Sequence, residues 1–130
     1  MASDALTYQG HAYAYGGSPG INGSNPWDCS SFVNWVLGHD FGMTLPGNVR
    51  GYNGSNHGPV ASSYATWPQS VTVSRSSVLA GDLLVWATHI GIAINNHQMI
   101  SALNPTLGTE VTGIENGGPQ GESLVCRRII

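Results

Sequence analysis

The stretch AGDLLVWATHIGIAINNHQMISAL, Ala80 to Leu103, decides the fold class. Ala80-Gly81-Asp82 reads as a turn that leads into a strand over Leu83-Leu84-Val85-Trp86. His89 to Ile94 reads as a second strand, Asn95-Asn96 as a hairpin turn, and Gln98 to Leu103 as the return strand. With the hairpin centred near Asn95, Ser101 falls directly across from His89 on the same face. Later strands are expected near Glu110–Ile114 and Ser123–Ile130, and Val71 and Val73 alternate with polar neighbours as an earlier one.

Upstream the period changes to that of helices. Asp28 is placed to cap a helix whose apolar face is Phe32, Val33, Trp35, Val36 and Leu37, with Gly38 ending it. Ser3-Asp4 caps a short helix over residues 4–9, stopped by Gly10. Pro59 opens another short helix, in which Val60, Tyr64 and Trp67 recur at i, i+4 and i+7 before Pro68 ends it. Polar, glycine-rich loops separate these elements at residues 16–27 and 42–58. Helices first and antiparallel strands afterwards make an α+β domain, one unit over residues 1–130.

Composition narrows the function. Of the 130 residues 41% are hydrophobic and only 8% charged, so the chain buries a core yet carries little charge. There is no lysine, and a formal net charge of −3 without a basic face argues against nucleic acid or an anionic membrane as partner. No apolar run reaches the length of a membrane span, and no charged-then-apolar leader opens the chain. The first helix starts almost at Met1, as though the chain were excised from a longer one. Two cysteines, Cys29 and Cys126, form no disulfide framework, and no CxxC or HExxH spacing suggests a metal site.

Cys29 follows the cap residue directly, in a first helical turn whose free N–H groups and dipole favour a thiolate. The plain alternative for a free cysteine is a small buried hydrophobe, and this is the reading for Cys126 on its strand. A thiol nucleophile needs a proton shuttle, and His89 at the start of the hairpin is the histidine placed to be one. A third group should orient the imidazole. Strand alternation favours Ser101; a fixed carbonyl acceptor favours Asn104, where Pro105 ends the strand, and the reading takes Asn104. His11, His39, His57 and His97 fall in loops or at helix ends and read as solvated, with His57, in SNHGP, the one placed to line a cleft. Trp27, Tyr52 and Trp67 read as core aromatics or as cleft walls.

Four segments in order carry a resemblance: YAYGG (Tyr13 to Gly17), WDCSSFV (Trp27 to Val33), AGDLLVW (Ala80 to Trp86) and THIGIAI (Thr88 to Ile94). Together they resemble the successive motifs of the NlpC/P60 family, papain-like cysteine peptidases that cut bacterial cell-wall peptides. The resemblance implies a papain-like fold with N-terminal helices packed on a central antiparallel sheet. It also implies Cys29 as nucleophile, His89 as general base and Tyr13 beside the oxyanion. Asp28 and Ser30 would line the acyl side of the scissile bond, with Trp27 and Thr88 as further substrate contacts.

The implied reaction is hydrolysis of an amide in the peptidoglycan stem peptide, by family precedent between D-glutamate and the diamino acid, with no metal or organic cofactor. An N-acetylmuramoyl-L-alanine amidase and a non-catalytic wall-binding tail module are the alternatives. Two departures stand out. Ser101 occupies the position where the family has His, Asn or Gln, and only Ala87 and Thr88 separate the preceding strand from His89, which should shorten one wall of the cleft. The segment ISALNPTLGTEV (Ile100 to Val111) further resembles the version of this domain in phage tail and tape-measure proteins. That resemblance implies a virion-tail or cell-wall location and the rest of a larger tail protein as partner.

Overall fold

The residue that starts the central helix is Asp28. In the computed structural model, which describes residues 1–130, its carboxylate accepts the Ser31 N–H at 2.9 Å while the Ser31 hydroxyl receives the Asp28 N–H at 3.0 Å. This reciprocal pair satisfies two donors that a helix start otherwise leaves open. Helix α2 (Cys29–Asn34) follows and runs on through wider π-helical turns over Trp35–Asp40. It therefore passes Gly38, the expected stop. Gly38 instead allows close approach, since a Cβ there would lie 2.7 Å from the Tyr52 Cβ.

Helix α1 (Ala2–Leu6) is shorter and earlier than expected and has no side-chain cap, although Gly10 does take a positive φ of 84° just beyond it. The segment after Pro59 forms a 3₁₀ helix, Ala61–Thr66. Tyr64 and Trp67 are buried there, but Val60 stays exposed because it sits at the N-cap, outside the helical face.

Six strands form one antiparallel sheet in the order β1-β6-β2-β3-β4-β5. They are β1 (Ser70–Val73), β2 (Leu83–Val85), β3 (Ile90–Ala93), β4 (Gln98–Asn104), β5 (Gly108–Gly113) and β6 (Val125–Ile129). A one-turn helix α3 (Ile114–Gly117) follows β5. The α+β reading holds. No helix is long and apolar enough to cross a membrane.

Side-chain alternation divides the sheet into two packed faces. Ile90, Ile92, Ile100 and Ala102 join Phe32 and Val33 of α2, and Val36 and Leu37 of its π-helical continuation, in the larger cluster. Leu84, Trp86, Ala93, Met99 and Cys126 form a smaller cluster on the opposite face, so Cys126 packs inside as expected.

The β3–β4 register departs from the expected one. Ile92 pairs with Ile100 and Ala93 with Met99, which places Ser101 opposite Gly91. The turn is longer than two residues because the Asn95 side-chain oxygen accepts the N–H groups of His97 and Gln98, both at 2.8 Å. Ser101 and His89 still share a face, now as diagonal neighbours.

The glycine-rich loops are pinned to each other over Trp35. Gly20 N–H donates to the Gly54 carbonyl at 2.8 Å. Gly54 has a φ of +81°, and a Cβ on it would fall 2.4 Å from the Gly20 oxygen and 2.8 Å from the Trp35 ring. Gly54→Ala is therefore expected to destabilise the fold by at least about 1–3 kcal/mol from backbone strain, with the collision adding to it. Urea titration of the variant checks this; a loss within about 0.5 kcal/mol, the usual size of a neutral surface change, contradicts it.

Candidate active site

A parallel bridge brings the first motif to the second. Ala14 N–H donates to the Trp27 carbonyl at 3.1 Å and Trp27 N–H to the Ala12 carbonyl at 3.2 Å, which sets Tyr13 beside the start of α2. Tyr13, Asp28, Cys29, Ser30, His57 and Thr88 then line one hollow of about 470 Å³. His89 lines a neighbouring hollow of about 350 Å³ with Asn104, Thr112 and Asn116. Thr88 and His89, adjacent in sequence, thus stand between the two spaces.

Cys29 is 9% exposed and borders the larger hollow, and its thiol meets the Thr88 carbonyl at 3.8 Å. The expected lowering of the thiol does not appear. Burial, and after it the Asp28 carboxylate, push Cys29 up to about 11. His89 moves the other way, since burial takes the imidazole down to about 4 against the opposing pull of Glu122. The resting thiol and imidazole are both neutral, in place of the ionised sulfur read from the helix start, and they line separate hollows with no hydrogen bond between them.

His89 Nε2 and the Ser101 hydroxyl are both sealed from solvent, and neither has a hydrogen-bond partner, each other included. Asn104, the sequence choice for orienting the ring, is engaged elsewhere: its Oδ1 accepts the N–H groups of Thr106 at 3.0 Å and Leu107 at 2.8 Å. Residue 104 caps the β4–β5 turn because Pro105 forces the chain round there. Ser101 keeps a free hydroxyl on the His89 face.

Glu122 was missed by sequence reading. Its two carboxylate oxygens accept the Thr88 N–H at 2.9 Å and the Thr88 hydroxyl at 2.6 Å, and these bonds hold the carboxyl below its ordinary value. The residue preceding His89 is thereby clamped from the loop before β6. An acid more than 30 residues downstream, in a polar loop, gives no local signal of this.

Trp27 does not line the cleft. It is fully buried, stacks on His11 at 3.6 Å between ring centroids and donates its indole N–H to Thr109 Oγ1 at 2.9 Å. His11 is accordingly a packing partner while remaining half-exposed. Tyr52 and Trp67 are buried as well. Thr88 is exposed at the cleft. His57, by contrast, enters it: Nε2 lies 2.8 and 2.9 Å from the two Asp28 oxygens and 3.2 Å from the Ser30 hydroxyl. The Asp28 hydrogen bond raises the imidazole above its ordinary value. Burial alone would raise the Asp28 carboxyl, but the His57 contact and the Ser31 N–H outweigh it and hold the group below the usual carboxylate value. No three His, Cys, Asp or Glu side chains gather into a set that could hold a metal ion.

The NlpC/P60 family model matches residues 10–128. The chain is 31% identical over 107 residues to the protein named "Probable endopeptidase p60" of Listeria seeligeri, covering 78% of this chain and 17% of that one. It is 29% identical over 110 residues to the bifunctional muramidase/DL-endopeptidase CwlT of Bacillus subtilis, covering 78% of this chain and 28% of the relative. The chain therefore spans less than a third of the length of these two curated relatives. Among solved structures, the NlpC/p60 domain of the peptidoglycan hydrolase SagA superposes with a TM-score of 0.58 at 23% identity, covering 95% of this chain and 92% of that domain.

The two histidines impose opposite pH dependences on stability. His57, raised above an unfolded value near 6.5, contributes stability below that pH and loses it as pH rises through its folded value. His89, lowered to about 4, contributes above 6.5 and loses it as pH falls toward 4. Thermal melts across pH check this. His89→Gln should flatten the acid-side decline and His57→Gln the decline above 6.5, whereas unchanged slopes in both variants contradict the assignment.

Proposed function

The chain belongs to the NlpC/P60 family, and we propose that it hydrolyses an amide bond in the stem peptide of bacterial peptidoglycan, with Cys29 as nucleophile and His89 as general base. One observation carries this reading: the thiol borders an open hollow and touches the carbonyl of Thr88, the residue immediately before the buried imidazole. A buried structural cysteine has no need of either feature.

The acyl part of the substrate occupies the Cys29 hollow and the amine part the His89 hollow, with the scissile amide across the Thr88–His89 ridge. Because the resting pair is neutral, the proton moves with the attack. His89 takes it from the thiol as sulfur bonds to the carbonyl carbon, which requires the ring to swing from its own hollow toward Cys29. Cys29 N–H, one of the first-turn groups without an intrahelical partner, receives the oxyanion, and the Tyr13 hydroxyl in the same hollow assists. The leaving amine collects the proton from His89, and water then attacks the thioester with His89 again as base. Ser101 is assigned as the orienting residue because its hydroxyl is buried on the His89 face and engaged by no other group, whereas the Asn104 oxygen is taken up by its turn. The bond from Ser101 to the ring forms only when the ring moves, since neither atom has a partner at rest.

The bond between D-glutamate and the diamino acid is the proposed target. The name of the Bacillus subtilis relative, a DL-endopeptidase, supports that choice. The site of action is the cell wall, reached from a virion tail if the resemblance of Ile100–Val111 to phage tail proteins reflects the parent protein. Finding the chain in purified particles tests that last step, and finding it only in host cytoplasm counts against it.

Digestion of purified peptidoglycan followed by mass spectrometry of the fragments tests the reaction. Wild type should release fragments ending at D-glutamate, and Cys29→Ala should lose more than about 10³-fold in rate, as nucleophile deletions do. Fragments that leave the stem peptide whole would make the enzyme an amidase, and an inert wild type that still sediments with the wall would make it a binding module. A second measurement concerns the ring. Ser101→Ala should cost about 10²-fold in kcat, the scale of a misplaced catalytic group, while Asn104→Ala should lower the melting temperature and spare kcat; the reverse pattern assigns the orienting role to Asn104.

A further inference from the structure

His57 is neither the nucleophile nor the base, yet its ring is held at both nitrogens in the Cys29 hollow. Its Nδ1 lies 2.8 Å from the Gly58 carbonyl, and its Nε2 lies 2.8 and 2.9 Å from the two oxygens of Asp28. A carbonyl and a carboxylate only accept hydrogen bonds, so a ring protonated on both nitrogens meets both contacts at once, and the Asp28 bond raises the imidazole in the same sense. The Ser30 hydroxyl, 3.2 Å from Nε2, then accepts or turns to Asp28.

Its backbone is fixed as firmly. Asn34 of α2 donates its side-chain N–H groups to the carbonyls of His57 at 2.8 Å and Pro59 at 2.9 Å, and the Tyr52 hydroxyl also donates to His57 at 3.1 Å. Tyr64 donates to the Asn34 side-chain oxygen from beneath. The helix that begins with Asp28 and Cys29 thus also positions the cation that faces them.

We propose that His57 is a positioning residue for the nucleophile: held as an imidazolium on Asp28, it cancels the carboxylate's charge beside Cys29 and so lets the thiol give up its proton during attack. The proposal rests on Cys29 being the nucleophile. The cap that starts α2 has to be an acceptor, and an ionised carboxylate is a strong one, but it places a negative charge one residue from a sulfur that must itself become negative. A like charge at that range disfavours ionisation. The titratable groups around the hollow are Tyr13 and Tyr15 on one wall, Asp28 and Cys29 at the helix start, and Tyr52 under the His57 loop, with Glu122 reaching Thr88 from the opposite side. His57 is the cation among them. Burial and then Asp28 are the two largest influences that raise the Cys29 thiol, in keeping with this division of roles.

Iodoacetamide alkylation of Cys29 from pH 8 to pH 12, with Cys126→Ser as background, reads the sulfur directly, the midpoint being taken from the rise of rate with pH. His57→Gln keeps a hydrogen bond to Asp28 but no charge, and should raise the alkylation midpoint by roughly one unit or more. It should also lower kcat near neutral pH about tenfold with KM little changed, one unit being a tenfold change in thiolate. His57→Lys, which restores a positive charge, should recover most of the midpoint, and a merely structural role would not be rescued this way. In the Asp28→Asn background, where the cap survives without its charge, His57→Gln should leave the midpoint unmoved.

A midpoint unaffected by His57→Gln, or raised equally with and without the Asp28 charge, overturns the proposal. Should His57→Gln fail to fold, nitrogen NMR of the wild-type ring decides: two protonated nitrogens at pH 7 are expected, and a neutral His57 is the contrary result. These readouts do not depend on turnover. Full activity in Cys29→Ala would overturn the functional reading and leave them standing.

Discussion

The Asp28 carboxylate is asked to do three things within a few ångströms. It accepts the Ser31 N–H and so starts α2, it pairs with His57 across the cleft, and it borders the sulfur of Cys29. The first of these fixes where the helix begins and hence where Cys29 stands. Everything downstream depends on that starting point. The apolar side of α2 meets β3 and β4 in register with it, and the hairpin carrying His89 is placed by that packing. A cap lost or moved by one residue would turn the thiol away from Thr88 and the hollow.

The same interaction explains why the resting chemistry differs from that suggested by an isolated helix start. A helix N-terminus favours an anion, but here the anion already present is the cap. With Cys29 also largely buried, the thiol keeps its proton until a base takes it. A neutral imidazole is suited to that task, and burial keeps His89 neutral. Glu122 acts at one remove by clamping Thr88. On the proposed reading the site combines a neutral thiol as nucleophile with a neutral imidazole as base.

Much of this was legible in the sequence because it is local. The Asp28 cap, the apolar stripe of Phe32, Val33, Val36 and Leu37, and the alternating strands around His89 are short-range patterns, and the structure carries them. What was not legible depends on contacts between distant segments. Asn95 lengthens the β3–β4 turn through its own side-chain bonds, which shifts the register and moves Ser101 from beside His89 to a diagonal position. Asn104 looked the better acceptor by chemistry, but the turn at Pro105 uses its oxygen. Trp27 sits between Asp28 and the glycine-rich loop in sequence, yet stacking on His11 and a bond to Thr109 draw it inside. His57 is placed at a cleft by its loop, but its bond to Asp28 is not visible there, and Glu122, which clamps Thr88, comes from a loop whose composition marks it only as polar.

The central claim is that one sulfur, Cys29, performs the chemistry. Progressive carboxamidomethylation of the wild-type chain, with peptide mapping and residual peptidoglycan hydrolysis followed together, tests it most directly. The account predicts that activity falls in proportion to the fraction of Cys29 labelled and reaches zero at one group per chain, whether or not Cys126 has reacted. Activity that survives complete labelling of Cys29, or that disappears only as Cys126 is labelled, would contradict it.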